Sequence, residues 1–171
     1  VAKLADQLGV DPDEAKTLLR QHREMVPFVK ALAEMASRRA AHSGQIRTVL
    51  GRLCRFHLWE PTTFGAGKPL PHEDALKEYA GVNGMGIRRA FTYKALNRLI
   101  QGSAADQTKK AMLDCYSEGY TPMLTVHDEL CFNIDSPEQT AKIKEIMENG
   151  VQLKVPSKID VDIQDDWGEI E

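Results

Sequence analysis

An α+β fold with a small antiparallel sheet follows from three features of this sequence. The N-terminal segment repeats apolar residues at helical spacing. A long segment from Arg88 to Glu118 does the same. Residues 122–163 then read strand, strand, helix, strand. The 171 residues fit one domain or two closely packed subdomains. A composition of 42% hydrophobic and 27% charged residues excludes the disordered and membrane-spanning classes. No run approaches the roughly 20 apolar residues that a bilayer demands. No signal peptide is visible. Cys54, Cys115 and Cys131 lack CxxC spacing and read as reduced thiols of a cytoplasmic protein. The tetrapeptide His127–Leu130 spells an ER-retention signal, but it is internal and so cannot be read as one. Val1 lies within a helical pattern, as expected of part of a longer polypeptide.

Each element has a local cause. Asp11 is an N-cap, Pro12 fits the first helical position and Glu14 completes a capping box. Ala15, Leu18 and Leu19 form the stripe of that helix. Pro27 interrupts it, and a second helix is expected to about Ala41, with apolar Phe28, Val29, Leu32 and Met35, ended by Ser43-Gly44. Gln45–Leu50 and Leu53–Leu58 read as strands about a Gly51-Arg52 turn. Glu60 to Pro71 reads as a Pro/Gly-rich loop. Gly81, Asn83, Gly84 and Gly86 have the wrong order for a dinucleotide fingerprint, and no strand precedes them. From Arg88 to Glu118 a helix is expected, bent or broken at Gln101-Gly102-Ser103 by poor helix formers. Its apolar residues run from Phe91, Ala95, Leu96, Leu99 and Ile100 to Ala104, Met112, Leu113 and Tyr116. A hairpin spans 122–134. A helix capped by Ser136-Pro137 follows, with Gln139 at the capping-box position, Ile143, Ile146 and Met147 buried, and Asn149-Gly150 at its end. Ile159, Val161 and Ile163 alternate with polar residues as a last strand.

The net charge of −3 hides an uneven distribution. Ser37–Trp59 carries Arg38, Arg39, Arg47, Arg52 and Arg55 with no acidic residue. Arginine suits bidentate contact with phosphate, although a solvated surface has the same composition. From Asp160 onward Asp160, Asp162, Asp165, Asp166, Glu169 and Glu171 meet no Lys or Arg. Between the apolar stretches Met123–Val126 and Leu130–Phe132 stand His127, Asp128 and Glu129. A tight turn there pushes Asp128 and Glu129 out together. Two such carboxylates are either solvated turn chemistry or part of a divalent-metal site.

Leu124 to Phe132 (LTVHDELCF) resembles the third conserved palm motif of family A DNA polymerases, the bacterial polymerase I-like enzymes and their phage relatives. A second match runs through Arg88-Arg89-Ala90, then Leu96–Asp106 (LNRLIQGSAAD), then Lys109-Lys110-Ala111-Met112. A third is Gly51-Arg52 after Val49-Leu50. The order and spacing of all three are similar to the family's. The resemblance implies a helical fingers remnant followed by an antiparallel palm sheet with packed helices. Residues 1–86 would be the end of the fingers region with the basic hairpin, and 87–171 the C-terminal palm subdomain. It implies that Asp128 binds the catalytic Mg²⁺ ions and that Glu129 supports them. His127 would touch the primer-terminal nucleotide, and Gln101 and Asn97 the minor groove. Arg52 would contact the DNA backbone, as the basic hairpin suggests for Arg47 and Arg55. Primer–template DNA and deoxynucleoside triphosphates are the implied partners, with no membrane.

The resemblance also implies what this stretch lacks. The family's first palm motif, with the other metal-binding aspartate, is absent, as is the fingers helix that holds the incoming nucleotide. Two Mg²⁺ ions would be shared with an upstream polymerase portion, without which the chain should not polymerise DNA. Arg is common in the family near Tyr93, and Pro where Leu99 stands. A noncatalytic duplex-binding module and a part of a single-subunit phage-type RNA polymerase are the alternatives. The latter usually continues His-Asp-Ser, so Glu129 favours DNA synthesis.

Overall fold

The computed structural model describes residues 1–63, 65–81 and 85–166. The expected features at Asn83, Gly84, Glu169 and Glu171 lie outside these. The fold is α+β. It divides into two compact units, Val1–Ile100 and Gln101–Glu171.

The first unit opens with α1 (Ala2–Leu8), α2 (Pro12–Met25) and α3 (Pro27–Ser43). The Asp11 carboxylate accepts the N–H groups of Asp13 at 2.8 Å and Glu14 at 3.0 Å, which satisfies two orphan donors of α2. Pro27 has no N–H and forces Val26 out of the helical region, so α2 stops and α3 restarts. At the far end of α3, Gly44 takes φ = 70° and turns the chain into β1 (Gln45–Arg47). β1 pairs antiparallel with β2 (Leu53–Arg55), Ile46 opposite Cys54. Ala36, Ala40, Ile46, Phe56 and Ala95 form the buried core here, with Cys54, Leu96 and Leu99 packed against it. Small alanines on α3 let the helix approach closely, and Phe56 fills the space they leave.

A second sheet stands where a loop is expected. β3 (Leu58–Pro61) is its central strand, between β4 (Leu70–Pro71) and β5 (Ile87–Arg89). The prolines sit at strand ends or on the edge, where a missing N–H breaks no ladder bond. α4 (His72–Ala75) runs on into a π turn, Leu76–Gly81, whose buried Tyr79 hydroxyl donates to the Lys68 carbonyl and accepts the Lys68 N–H. The predicted strand 53–58 is split between β2 and β3, and 48–50 belong to the turn. Residues 87–94 are a strand and a short 3₁₀ turn rather than helix.

The helix α5 (Ala95–Ser117) runs through Gln101-Gly102-Ser103 without the break that was one of the two expected outcomes. One internal glycine costs about 1 kcal/mol relative to alanine, less than the cost of nucleating a second helix.

In the second unit, β6 (Pro122–Val126) and β7 (Glu129–Phe132) form a hairpin with an irregularity between Pro122 and Leu124. α6 (Pro137–Asn149) has Ser136 at its N-cap position, but the Ser136 side chain makes no capping hydrogen bond, and the Gln139 side-chain oxygen accepts the Asp135 N–H at 2.9 Å, one residue before the expected capping-box partner. Ile143 is buried, as predicted, and Ile146 and Met147 are half-buried. Ala111, Cys115 and Val151 are buried too. No strand forms at 159–163. The Glu148 carboxylate instead accepts the Ile159 N–H at 3.1 Å and pairs with Lys158, and Val161 and Ile163 are exposed. Alternation makes a strand only where a neighbouring strand takes its backbone bonds, and none of the described strands lies beside this segment.

The α3 stripe is a further departure. Phe28 is 66% exposed and Met35 56%, while Ala36 and Ala40 face inward. The helix is docked by its small face.

Burial, and then the Asp114 carboxylate, push the Cys115 thiol above its ordinary value of 9.0. The corresponding stability is fully present below that ordinary value and is lost as pH rises through the raised one. At pH 8, alkylation followed by peptide mass spectrometry should label Cys54 and Cys131, both half-buried, well before Cys115. Comparable rates at all three would contradict this packing.

Candidate catalytic turn and nucleic-acid interface

Val126 pairs with Glu129, so only His127 and Asp128 remain to cross between β6 and β7. A two-residue hairpin loop matches the twist of its strands when its central backbone reaches positive φ. Glycine normally supplies this, but here His127 does, at φ = 53°. Glu129 is therefore the first residue of β7 and not a turn residue, a correction to the expectation that the turn pushes both carboxylates out. His127, Asp128 and Glu129 are all exposed nonetheless. Neither carboxylate takes a hydrogen bond or ion pair from the described residues.

The donor set suits a hard cation. Mg²⁺ prefers oxygen ligands, keeps several waters and is often held by one or two carboxylates plus substrate phosphates. Among the described residues no group of three or more His, Cys, Asp or Glu is placed to hold a metal. Asp128 and Glu129 thus fit a shared site and not a closed protein cage.

Asn97 and Gln101 lie four residues apart on α5, and both are exposed. The basic hairpin forms as predicted. Ile46 and Cys54 face each other across β1 and β2, and Ile46 points into the core. Period-two alternation then puts Arg47 and Arg55 on the opposite, solvent face. Arg52 is exposed at the turn, where Gly51 takes φ = 85° and Arg47 donates to the Gly51 carbonyl at 2.9 Å. Sequence reasoning missed Arg98. Its guanidinium lies 4.8 Å from the Phe56 ring centre and donates to the Arg55 carbonyl at 3.5 Å, which fixes it against the end of β2. A helical residue between Asn97 and Leu99 gives no such signal until β2 is placed beside it.

An α+β chain with an exposed carboxylate turn and an arginine hairpin has the parts of a phosphoryl-transfer or nucleic-acid-handling protein. Residues 1–169 match the profile of DNA polymerase family A. The chain belongs to that family. It is 36% identical over 168 residues to a DNA-directed DNA polymerase of Pseudomonas phage M6, covering 98% of this chain and 22% of that protein. It is 28% identical to the thermostable DNA polymerase I of Thermus filiformis, over 96% of this chain and 18% of the relative. Among solved structures, the POL domain of Pol1 from M. smegmatis in complex with DNA primer-template and dNTP superposes with a TM-score of 0.63 at 28% identity. That match covers 90% of this chain and 25% of the other. The chain therefore spans about a fifth of the length of these curated relatives. No described helix is long and apolar enough to cross a membrane.

A non-glycine residue at positive φ costs on the order of 1 kcal/mol. His127→Gly should raise hairpin stability by about that much, read as a higher urea midpoint. An unchanged or lower midpoint would show that the strain at His127 is no larger than the extra unfolded-state entropy that glycine brings.

Proposed function

We propose that this chain is the C-terminal portion of a DNA-dependent DNA polymerase and serves template-directed synthesis. Residues 1–86 are the end of its fingers and the basic hairpin, and 87–171 the C-terminal palm. The primer 3′-hydroxyl oxygen bonds to the α-phosphorus of a deoxynucleoside triphosphate, the bond to pyrophosphate breaks and the hydroxyl proton passes to water. Two Mg²⁺ ions, when bound, lower the pKa of that hydroxyl and neutralise the leaving pyrophosphate. Asp128 is their ligand in this chain, with Glu129 as support. The other catalytic aspartate comes from an upstream polymerase portion. The observation that carries the reading is the exposed Asp128 carboxylate of a two-residue turn with exposed Glu129 next to it at the start of β7, both without described partners, in a family A chain.

The remaining residues serve the duplex. Every base pair presents acceptors at N3 or O2 in the minor groove, so amide donors from Gln101 and Asn97 check pair geometry without reading sequence. His127 touches the primer-terminal nucleotide. Arg47, Arg52 and Arg55 supply bidentate contacts to backbone phosphates.

Primer extension tests this with the chain alone and mixed with the upstream portion. The mixture should extend the primer and the chain alone should not. Asp128→Ala should lower extension by more than about 100-fold, the upper end of what outer-shell changes alone do at metal sites. Activity unaffected by Asp128→Ala sinks the ligand assignment. Duplex binding without extension, from two folded pieces, favours a noncatalytic module.

A further inference from the structure

We infer that Arg89 is the positioning residue of the basic hairpin: its guanidinium sets the direction in which Arg47, Arg52 and Arg55 meet duplex phosphates. The inference rests on the reading of that hairpin as a grip on DNA.

Arg89 lies on β5, opposite Trp59 of β3, and its guanidinium sits 4.6 Å from the centre of the Trp59 ring. Nε donates to the Ala41 carbonyl at 3.1 Å, in the last turn of α3. Nη1 donates to the Phe56 carbonyl at 3.0 Å, one residue beyond β2. These two carbonyls belong to the two roots of the hairpin, the chain entering β1 and the chain leaving β2. The roots are also tied directly, Phe56 N–H donating to the Gly44 carbonyl at 2.8 Å. Between them the backbone of Gly44 closes on the arginine, because a Cβ there would come within 2.8 Å of Cζ and Nη1.

Two three-residue strands have little stability of their own, so the aim of such a hairpin is decided where it joins the fold. A planar fork can bridge two carbonyls at fixed angles while stacking on an indole. A lysine ammonium carries the same charge and lacks the fork. The neighbouring Arg88 pairs instead with Glu60 at 3.0 Å and touches neither root.

The test is binding of the intact chain to a fluorescently labelled primer–template duplex across a salt series. Variants are Arg89→Lys, Gly44→Ala, the triple Arg47→Ala/Arg52→Ala/Arg55→Ala, and that triple combined with Arg89→Lys. All are read at a temperature where far-UV circular dichroism matches the parent. Gly44→Ala drives a methyl into the Arg89 guanidinium and also strains the left-handed turn into β1, so it tests the root as a whole, and Arg89→Lys alone tests the arginine.

Each lost phosphate contact lowers the slope of log K against log salt by about 0.9, so the triple variant should lose about 2 to 3. Arg89→Lys keeps the charge yet should lower the slope by about 1 or more and the affinity on the order of tenfold. Gly44→Ala should do the same, and Arg89→Lys should add nothing within the triple variant. A parental slope in Arg89→Lys and Gly44→Ala, with the triple variant weakened, overturns this inference alone. So does an Arg89→Lys loss that persists undiminished in the triple background. A triple variant that binds like the parent overturns the grip itself, and the inference with it.

Discussion

The reversal at Gly44 is the constraint on which the first unit depends. α3 must stop, turn and deliver Ile46 into the core within three residues. Only a residue that tolerates φ = 70° and carries no Cβ can do so with the Arg89 guanidinium packed against it. The consequences run outward from that point. Ile46 meets Phe56 and the alanines of α3, and β1 then presents Arg47 to solvent through the alternation of the strand. A charged surface patch thus follows from a backbone angle several residues away.

The second unit places its chemistry by a similar economy of chain. Pairing of Val126 with Glu129 leaves two residues to reverse direction, and the backbone of His127 is held at positive φ as a result. Strain of this kind persists where surrounding structure over-determines it, and the β6–β7 ladder does so here. Among the described residues, none gives the Asp128 carboxylate a hydrogen bond or ion pair. The two adjacent carboxylates are exposed to water, as turn carboxylates commonly are.

Local signals were legible from the sequence and proved sound. Asp11-Pro12, Pro27, Gly44 and Ser136-Pro137 mark helix ends because caps, missing N–H groups and left-handed φ act within one turn of chain. The hairpin at 122–132 was legible because its alternation and turn lie together. The β3–β4–β5 sheet was not, since Trp59 meets Leu70 and Arg89 only through distant pairing and the intervening prolines read as loop. The strand at 159–163 failed for the opposite reason: its alternation was present, and the described fold sets no strand beside it. The break at Gln101–Ser103 failed because propensity is a small term and helix cooperativity a large one.

By itself the sequence determined the membership of the chain, the identity of its carboxylates, amides and arginines, and where α2, α3 and α6 begin and end. These depend on residue type and short spacing. The tertiary structure alone decided that α3 docks by Ala36 and Ala40 with Phe28 outside, that Glu129 belongs to the ladder and not the turn, and that Arg89 holds both roots of the hairpin. Such choices are made by which surfaces meet, and contacts between residues as far apart as Ala41 and Arg89 leave no periodicity in the chain to announce them.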